Sequence, residues 1–207
     1  MQANFDFIAP FYDSLARLVF GKALQKAKTS FTDRIPTGGR LLLMGGGTGT
    51  ILNTILKTHP ALEIDFVDVS GKMLKLAADN LDSGFHHRVT FIHGDHHAIQ
   101  TDKIYDAATS FFVIDCMRQW EATEFTTKVV SSLKPGGLFL FADFFEVQSL
   151  YYRSLLRIMY RFFRLTAGIS ASELPDYEKI FSQLPLREIE DRSILKGFIH
   201  SKIYRRT

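Results

Sequence analysis

The chain has 207 residues, 46% of them apolar and 23% charged, a balance that fits one soluble globular domain and excludes a disordered or low-complexity chain. Its net charge of +3 is too small to argue for a nucleic-acid partner, and its single cysteine, Cys116, excludes an intrachain disulfide and fits a reducing compartment. No apolar run reaches the ~18 residues of a membrane span, and Met1 to Asp6 show no basic segment followed by an apolar one, so no signal peptide is expected and the chain reads as cytoplasmic.

Phe5, Phe7, Ile8, Phe11 and Tyr12 open the chain with an aromatic segment broken by Pro10, and Asp13 or Ser14 is placed to cap a helix running to about Arg34. That helix either packs across a sheet edge or covers a site as a lid. Leu41-Leu42-Leu43-Met44 is too short for a helix and is bounded by glycine, which predicts a fully buried parallel strand. Gly45, Gly47 and Gly49 follow at alternate positions. Lacking a Cβ, they permit positive φ and let a ligand approach the main chain. Helical spacing resumes from Thr50 to Lys57, so the free N–H groups of that helix would face the same ligand. A dinucleotide fingerprint needs a glycine where Thr50 stands, which disfavours an NAD-dependent oxidoreductase.

After His59-Pro60, residues Leu62 to Val67 alternate as a second strand that Asp68 closes, 23 positions beyond Gly45. A carboxylate at the tip of a second strand can accept hydrogen bonds from both ribose hydroxyls of an adenosine. Asp65, the competing acid, reads as a residue on a solvated mid-strand edge. Ser70 caps a helix with Met73, Leu74, Leu76 and Ala77 on its buried side. Val89 to His93 is a third strand, ending in Gly94-Asp95-His96-His97, where Asp95 alone would read as a turn-forming residue. Five histidines fall between His86 and His97, but adjacent pairs do not easily converge and no zinc signature occurs, so no metal is expected. Tyr105 to Val113 is a fourth strand leading into Ile114-Asp115-Cys116-Met117. A helix around Trp120 to Leu133 then reaches Lys134-Pro135-Gly136-Gly137 and the strand Leu138 to Phe141.

From Leu150 to Leu165, Arg153, Arg157, Arg161 and Arg164 recur at helical spacing, with Tyr151, Leu155, Ile158, Met159, Phe162 and Phe163 filling the remainder. Three readings stay open: a lid helix with solvated arginines, a basic amphipathic helix on an anionic membrane surface, or arginines that receive an anionic substrate. Ser170-Ala171-Ser172-Glu173 offers a capping box for a helix through about Gln183. Leu186 to Glu190 and Phe198 to Tyr204 alternate as a hairpin around Lys196-Gly197.

The Gly45-x-Gly47-x-Gly49 turn, the run Val67-Asp68-Val69-Ser70-Gly71-Lys72-Met73-Leu74, the fourth strand and the Leu133-Lys134-Pro135-Gly136-Gly137 turn together resemble, in order and interval, the class I S-adenosylmethionine-dependent methyltransferases over roughly residues 40 to 145. Phe11-Tyr12-Asp13 is similar to the opening of the small-molecule, quinone-biosynthesis type. The resemblance implies an α/β, Rossmann-like three-layer sandwich whose seven-stranded, mostly parallel sheet ends in an antiparallel hairpin. It implies one methyltransferase domain over 1–207, with an N-terminal helical lid at about 1–35 and a helical insertion at about 148–184. Cofactor binding falls on Gly45, Gly46, Gly47, Thr48 and Gly49, on Asp68, Val69 and Met73, on Asp95 for the adenine amino group and the His96 N–H for a ring nitrogen, and on Ser110 and Phe111 beside the sulfonium. Phe11, Tyr12 and Phe112 would wall the substrate pocket, and Asp115 is the candidate general base, with a helix cap as its alternative and His200 a more distant choice.

Asn-Pro-Pro-Tyr, Asp-Pro-Pro-Tyr and a Pro-Cys pair, marks of enzymes that methylate nucleic-acid bases, are absent, so no nucleic acid is expected. One departure stands out: Leu43 occupies a position that is usually acidic and helps anchor the cofactor's amino end. The implied activity is methyl transfer from S-adenosylmethionine, with S-adenosylhomocysteine as product, to a small apolar or aromatic acceptor. Leu43 and the lack of an obvious base keep open a non-catalytic module that binds cofactor or lipid, and the arginine stripe keeps open contact with a membrane surface.

Overall fold

The computed structural model describes residues 5–100 and 104–207. The first residues of the expected lid, Met1 to Asn4, and most of the segment on which the signal-peptide expectation rests lie outside the described residues. The strands are β1 (Gly38–Met44), β2 (Ala61–Asp68), β3 (Val89–His93), β4 (Tyr105–Phe111), β5 (Leu133–Phe144), β6 (Leu186–Ile194) and β7 (Ile199–Arg206). The helices are α1 (Tyr12–Phe20), α2 (Ala23–Thr29), α3 (Leu52–Thr58), α4 (Gly71–Asn80), α5 (Gln119–Ser131), α6 (Leu150–Thr166) and α7 (Tyr177–Ser182).

The strands form one sheet in the order β3-β2-β1-β4-β5-β7-β6, parallel from β3 to β5 and antiparallel through β7 and β6. This is the expected seven-stranded sheet with a terminal hairpin. The hairpin turns through Leu195, Lys196 and Gly197, all at positive φ. The chain order reverses at β1, so the ends of β1 and β4 border the crevice where α/β sheets hold ligands.

Period two along β1 sorts its side chains between two layers. Leu41 and Leu43 join Ile51, Leu52 and Ile55 on one face, while Leu42 and Met44 join Phe125, Val129 and Phe141 on the other. Leu41, Leu42 and Leu43 have no exposed surface, as a strand covered on both faces requires.

Four local expectations are corrected. The single helix from residue 13 to 34 is two helices, because Gly21, at φ 58° and ψ −122°, stops α1 where a side chain would be strained. Asp13 lies inside α1 rather than capping it. Asp65 is buried and accepts a hydrogen bond from the Tyr105 hydroxyl at 2.8 Å, so it faces the core and not a solvated edge. The helix expected after Ser170 starts only at Tyr177: Pro175 disfavours helical backbone at Leu174, and Asp176 is the cap, its carboxylate accepting from Lys179 N.

The C-terminal end of α3, the helix that follows the glycine turn, is held by one side chain. Arg88 donates to the carbonyl oxygens of Leu56 and His59 at 2.7 and 2.8 Å and also to that of Pro60. These carbonyls have no partner within the helix, and a cation at a helix C-terminus also meets a favourable dipole. Arg88→Ala is therefore expected to lower stability by about 2 kcal/mol, from hydrogen bonds to a charged donor. Denaturant titration checks this: the midpoint should fall with the slope unchanged.

Candidate active site

The glycine turn behaves as its residue types require. Gly45, Gly47 and Gly49 take φ of 61°, 60° and 72°. The reasons differ. At Gly45 a Cβ would collide with Val113, and at Gly49 it would sit 2.7 Å from the Ala77 Cβ, so these two serve close packing. At Gly47 a Cβ would meet nothing within 4 Å and would project into an open cavity. Gly46 and Thr48 face away from that cavity: Gly46 packs against Phe66 and Leu43, and the Thr48 hydroxyl donates to the Asp13 carboxylate.

The cavity has a volume of about 300 Å³ and runs from the turn across the ends of β2 and β4. Asp68 stands in its wall at the tip of β2. One carboxylate oxygen accepts from Gly47 N at 3.1 Å and the other from Ser70 N at 2.9 Å. Burial nevertheless raises the Asp68 pKa to about 6, with the two N–H bonds acting in the opposite direction. Ser70 in turn accepts from Met73 N at 3.1 Å and so starts α4, which brings Val69 and Met73 to the same wall.

At the far side Asp95 accepts from His97 N at 2.8 Å and fixes a short turn. His96 is buried there, and neither ring nitrogen has a hydrogen-bond partner among the described residues. The second histidine pair converges, contrary to expectation: the His96 and His97 ring centroids are 4.1 Å apart, and one ligand atom from each of Asp95, His96 and His97 falls within 4.8 Å of the others. Each Nε2 lies 3.7 to 3.8 Å from Glu124 Oε1.

Phe111 and Phe112 carry the wall past β4. Phe112 sits at φ 59°, a left-handed conformation that a bulky residue rarely adopts, and it packs on Phe144 at 5.1 Å between centroids. Ser110 is wholly buried behind this wall. Tyr12 faces the cavity, whereas Phe11 points to solvent and Phe5 takes a place in the wall. The N-terminal segment is tied down beside the cavity through acids: Asp6 accepts from the Ser70 hydroxyl at 2.6 Å, and Asp13 from Thr48.

Asp115 does not reach the cavity, because Cys116 stands between them. It belongs to a buried acid pair in which Asp143 accepts from Asp115 N at 3.2 Å and from Phe144 N at 2.9 Å. Burial pushes both carboxyls up, Asp143 well above its ordinary range. Burial also holds the Cys116 thiol well above its usual pKa. His200 lies away from the cavity, hydrogen-bonded to Asp191 at 2.8 Å.

Several wall residues carried no local signal in the sequence. Lys28 on α2 is one, and burial lowers its pKa while the charges of Asp13 and Asp68 oppose that. Trp120, Glu121 and Glu124 arrive from α5, and Ser170 follows α6. The Ser170 hydroxyl donates to Glu121 at 2.6 Å instead of capping a helix. Leu43, the departure from the acidic pattern, is fully buried in the core and does not itself line the cavity.

Comparison with known proteins gives a consistent picture. A methyltransferase-domain family model matches residues 42–139. A malonyl-[acyl-carrier protein] O-methyltransferase from Halalkalibacterium halodurans is 37% identical over 106 residues, which is 50% of this chain and 38% of that protein. The chain thus spans well under half of that relative's length. A protein of the same name from Priestia megaterium is 28% identical over 196 residues, 91% of this chain and 69% of that one. Among solved structures, a Burkholderia thailandensis 1,6-didemethyltoxoflavin-N1-methyltransferase with bound 1,6-didemethyltoxoflavin and S-adenosylhomocysteine has the same fold, with TM-score 0.69 and 14% identity over 98% of this chain and 86% of that one. Motif order, the reversal of strand order at β1, the Gly47–Asp68 junction and these likenesses agree: the chain carries a methyltransferase domain over residues 42–139 and shares the fold of a methyltransferase solved with S-adenosylhomocysteine.

Proposed function

We propose that the cavity binds S-adenosylmethionine and that the protein transfers its methyl group to a small acceptor with an apolar or aromatic body, at an oxygen atom. The observation that carries this reading is the buried Asp68 carboxylate, hydrogen-bonded to Gly47 N and set beside a turn whose Gly47 leaves open space where a Cβ would stand. The names of the curated relatives, both O-methyltransferases, support an oxygen acceptor.

When bound, the cofactor supplies a methyl group on a positively charged sulfur. The chain's own residues have separable tasks in this reading. Asp68 receives the ribose hydroxyls, and Asp95 with the unpartnered His96 ring nitrogens meets the adenine edge. Lys28 offers the cofactor's carboxylate an ammonium group, taking an anchoring role at the amino-acid end that Leu43 cannot fill. Phe111, Phe112 and Tyr12 hold the acceptor and exclude water. For an anionic acceptor, charge is lost on the way to the transition state, so a dry aromatic wall favours the reaction and positioning is the main task. Asp115 stands off the cavity, so an acceptor that arrives protonated needs another base. The competing reading, a module that binds without turnover, draws on the distance of Asp115 from the cavity, and product formation separates the two.

Three outcomes test this reading. Asp68→Ala is expected to weaken S-adenosylhomocysteine binding on the order of a hundredfold, the loss of two hydrogen bonds to a charged acceptor, with the fold retained; unchanged affinity by calorimetry would remove the ribose assignment. Ribose hydroxyls favour ionised Asp68, so binding releases a proton below its pKa of about 6. Affinity should then rise with pH and level off above 6, being about tenfold weaker at pH 5 than at pH 7.5, while Asp68→Asn should flatten that profile. Lys28→Ala should weaken S-adenosylhomocysteine by about tenfold through loss of a charge-assisted contact and leave adenosine affinity unchanged, which comparative calorimetry of the two ligands reads directly.

A further inference from the structure

Large apolar side chains are not exposed evenly over this molecule. Of the eleven exposed among the described residues, eight fall in two segments: Phe7, Phe11, Leu18 and Val19 in and before α1, and Leu150, Tyr151, Ile158 and Leu165 on α6. Leu18 and Leu165 are 84% and 88% exposed, far more than packing leftovers require.

The two helices are neighbours. Phe5, just before α1, meets Phe163 near the end of α6 at 6.1 Å between ring centroids. At the opposite ends, Phe20 of α1 and Tyr152 of α6 both pack on Phe198, at 6.5 and 4.5 Å. The helices therefore run antiparallel in neighbouring positions, each with an exposed outer face. On α6 that face has two tracks. Tyr151, Ile158 and Leu165 recur every seven residues along one line, and the exposed Arg153, Arg157, Arg161 and Arg164 run along the line beside it. Residues 150–172 contain no acid. Glu146 and Glu173 border the crevice that Arg153 and Arg157 also line, yet none of the four guanidiniums forms an ion pair among the described residues. Exposed Arg17 adds a positive charge on α1, whose acid, Asp13, is engaged with Thr48.

We propose that the paired outer faces of α1 and α6 dock on an anionic lipid bilayer. Bulky apolar side chains beside unpaired arginines, along about 25 Å of helix, match what an interfacial helix needs: apolar groups to enter the acyl boundary and cations to meet lipid phosphates. An acidic protein would match the arginines alone and would leave the apolar track uncovered. Tyr12 and Phe5 belong to the same N-terminal segment and line the cavity, so the docked face adjoins the site. An acceptor dissolved in the bilayer would then have a short path inward; this last clause rests on the methyltransferase reading, whereas docking does not.

The test is flotation of the full chain with vesicles of phosphatidylcholine alone and with 30 mole per cent (about one lipid in three) phosphatidylglycerol, at low and at high salt. The expected result is binding to the anionic vesicles, weakened by salt, and on the order of tenfold loss for Arg157→Glu/Arg161→Glu and for Ile158→Ser/Leu165→Ser. These positions are exposed, so folding should survive, and a thermal shift with S-adenosylhomocysteine equal to that of the unmodified protein keeps cofactor binding separate from docking. No binding to either vesicle overturns the proposal, as does equal binding to both. Loss in the arginine pair alone, with the apolar pair unaffected, overturns the entry of the apolar track into the bilayer and leaves charge attraction only.

Discussion

The structure turns on one carboxylate. Asp68 ends β2 and takes an N–H from Gly47 with one oxygen and from Ser70 with the other, so it joins the turn after β1 to the start of α4. Two stretches of the chain, the turn at Gly47 and the run from Asp68 to Ser70, meet at a single charge-bearing group. The parallel register of β1 and β2, with Met44 opposite Val67, brings the two strand tips level and makes the junction possible. Any group that lies against Gly47 also lies against Asp68. That coupling is why the turn's freedom from side chains leaves open space at Gly47, whereas at Gly45 and Gly49 it answers close packing as well as positive φ.

Around this junction the chain gathers polar groups in an apolar shell, and burial decides their state. Asp68 titrates high although two N–H donors face it, and burial pushes the Asp115 and Asp143 carboxyls up. Phe112 is held in a left-handed conformation at the wall by its packing on Phe144. Unfavourable local states of this kind persist when the surrounding structure over-determines them, and they gather at sites that act.

Local chemistry made much of this readable from residues alone. Alternate glycines after an apolar run, an acid at the next strand tip and a serine two residues later each demand their own backbone geometry, and Gly45, Gly47, Asp68 and Ser70 adopt it. The same holds for the hairpin at Lys196-Gly197 and for α6. What the residues did not disclose depends on tertiary packing. Lys28 is one lysine in a helix of ordinary composition, and only the contact of α2 with the cavity gives it a role. Trp120 and Glu124 look like any α5 residues until that helix is laid against the sheet. Gly21 and Pro175 broke helices whose apolar spacing continued past them, because a pattern of burial says little about where the backbone must stop. Asp65 reads as a solvated acid from its own segment because its partner, Tyr105, lies 40 residues away.

Cys116 brings one more consequence. It lines the cavity that the proposed methyl donor would occupy, and a thiolate there would itself be a potent nucleophile. Burial beside Asp115 and Asp143 keeps the proton on the sulfur. The same acids that make the floor electrostatically costly thereby silence a side reaction: the protein can hold a reactive donor against its lone thiol without alkylating itself.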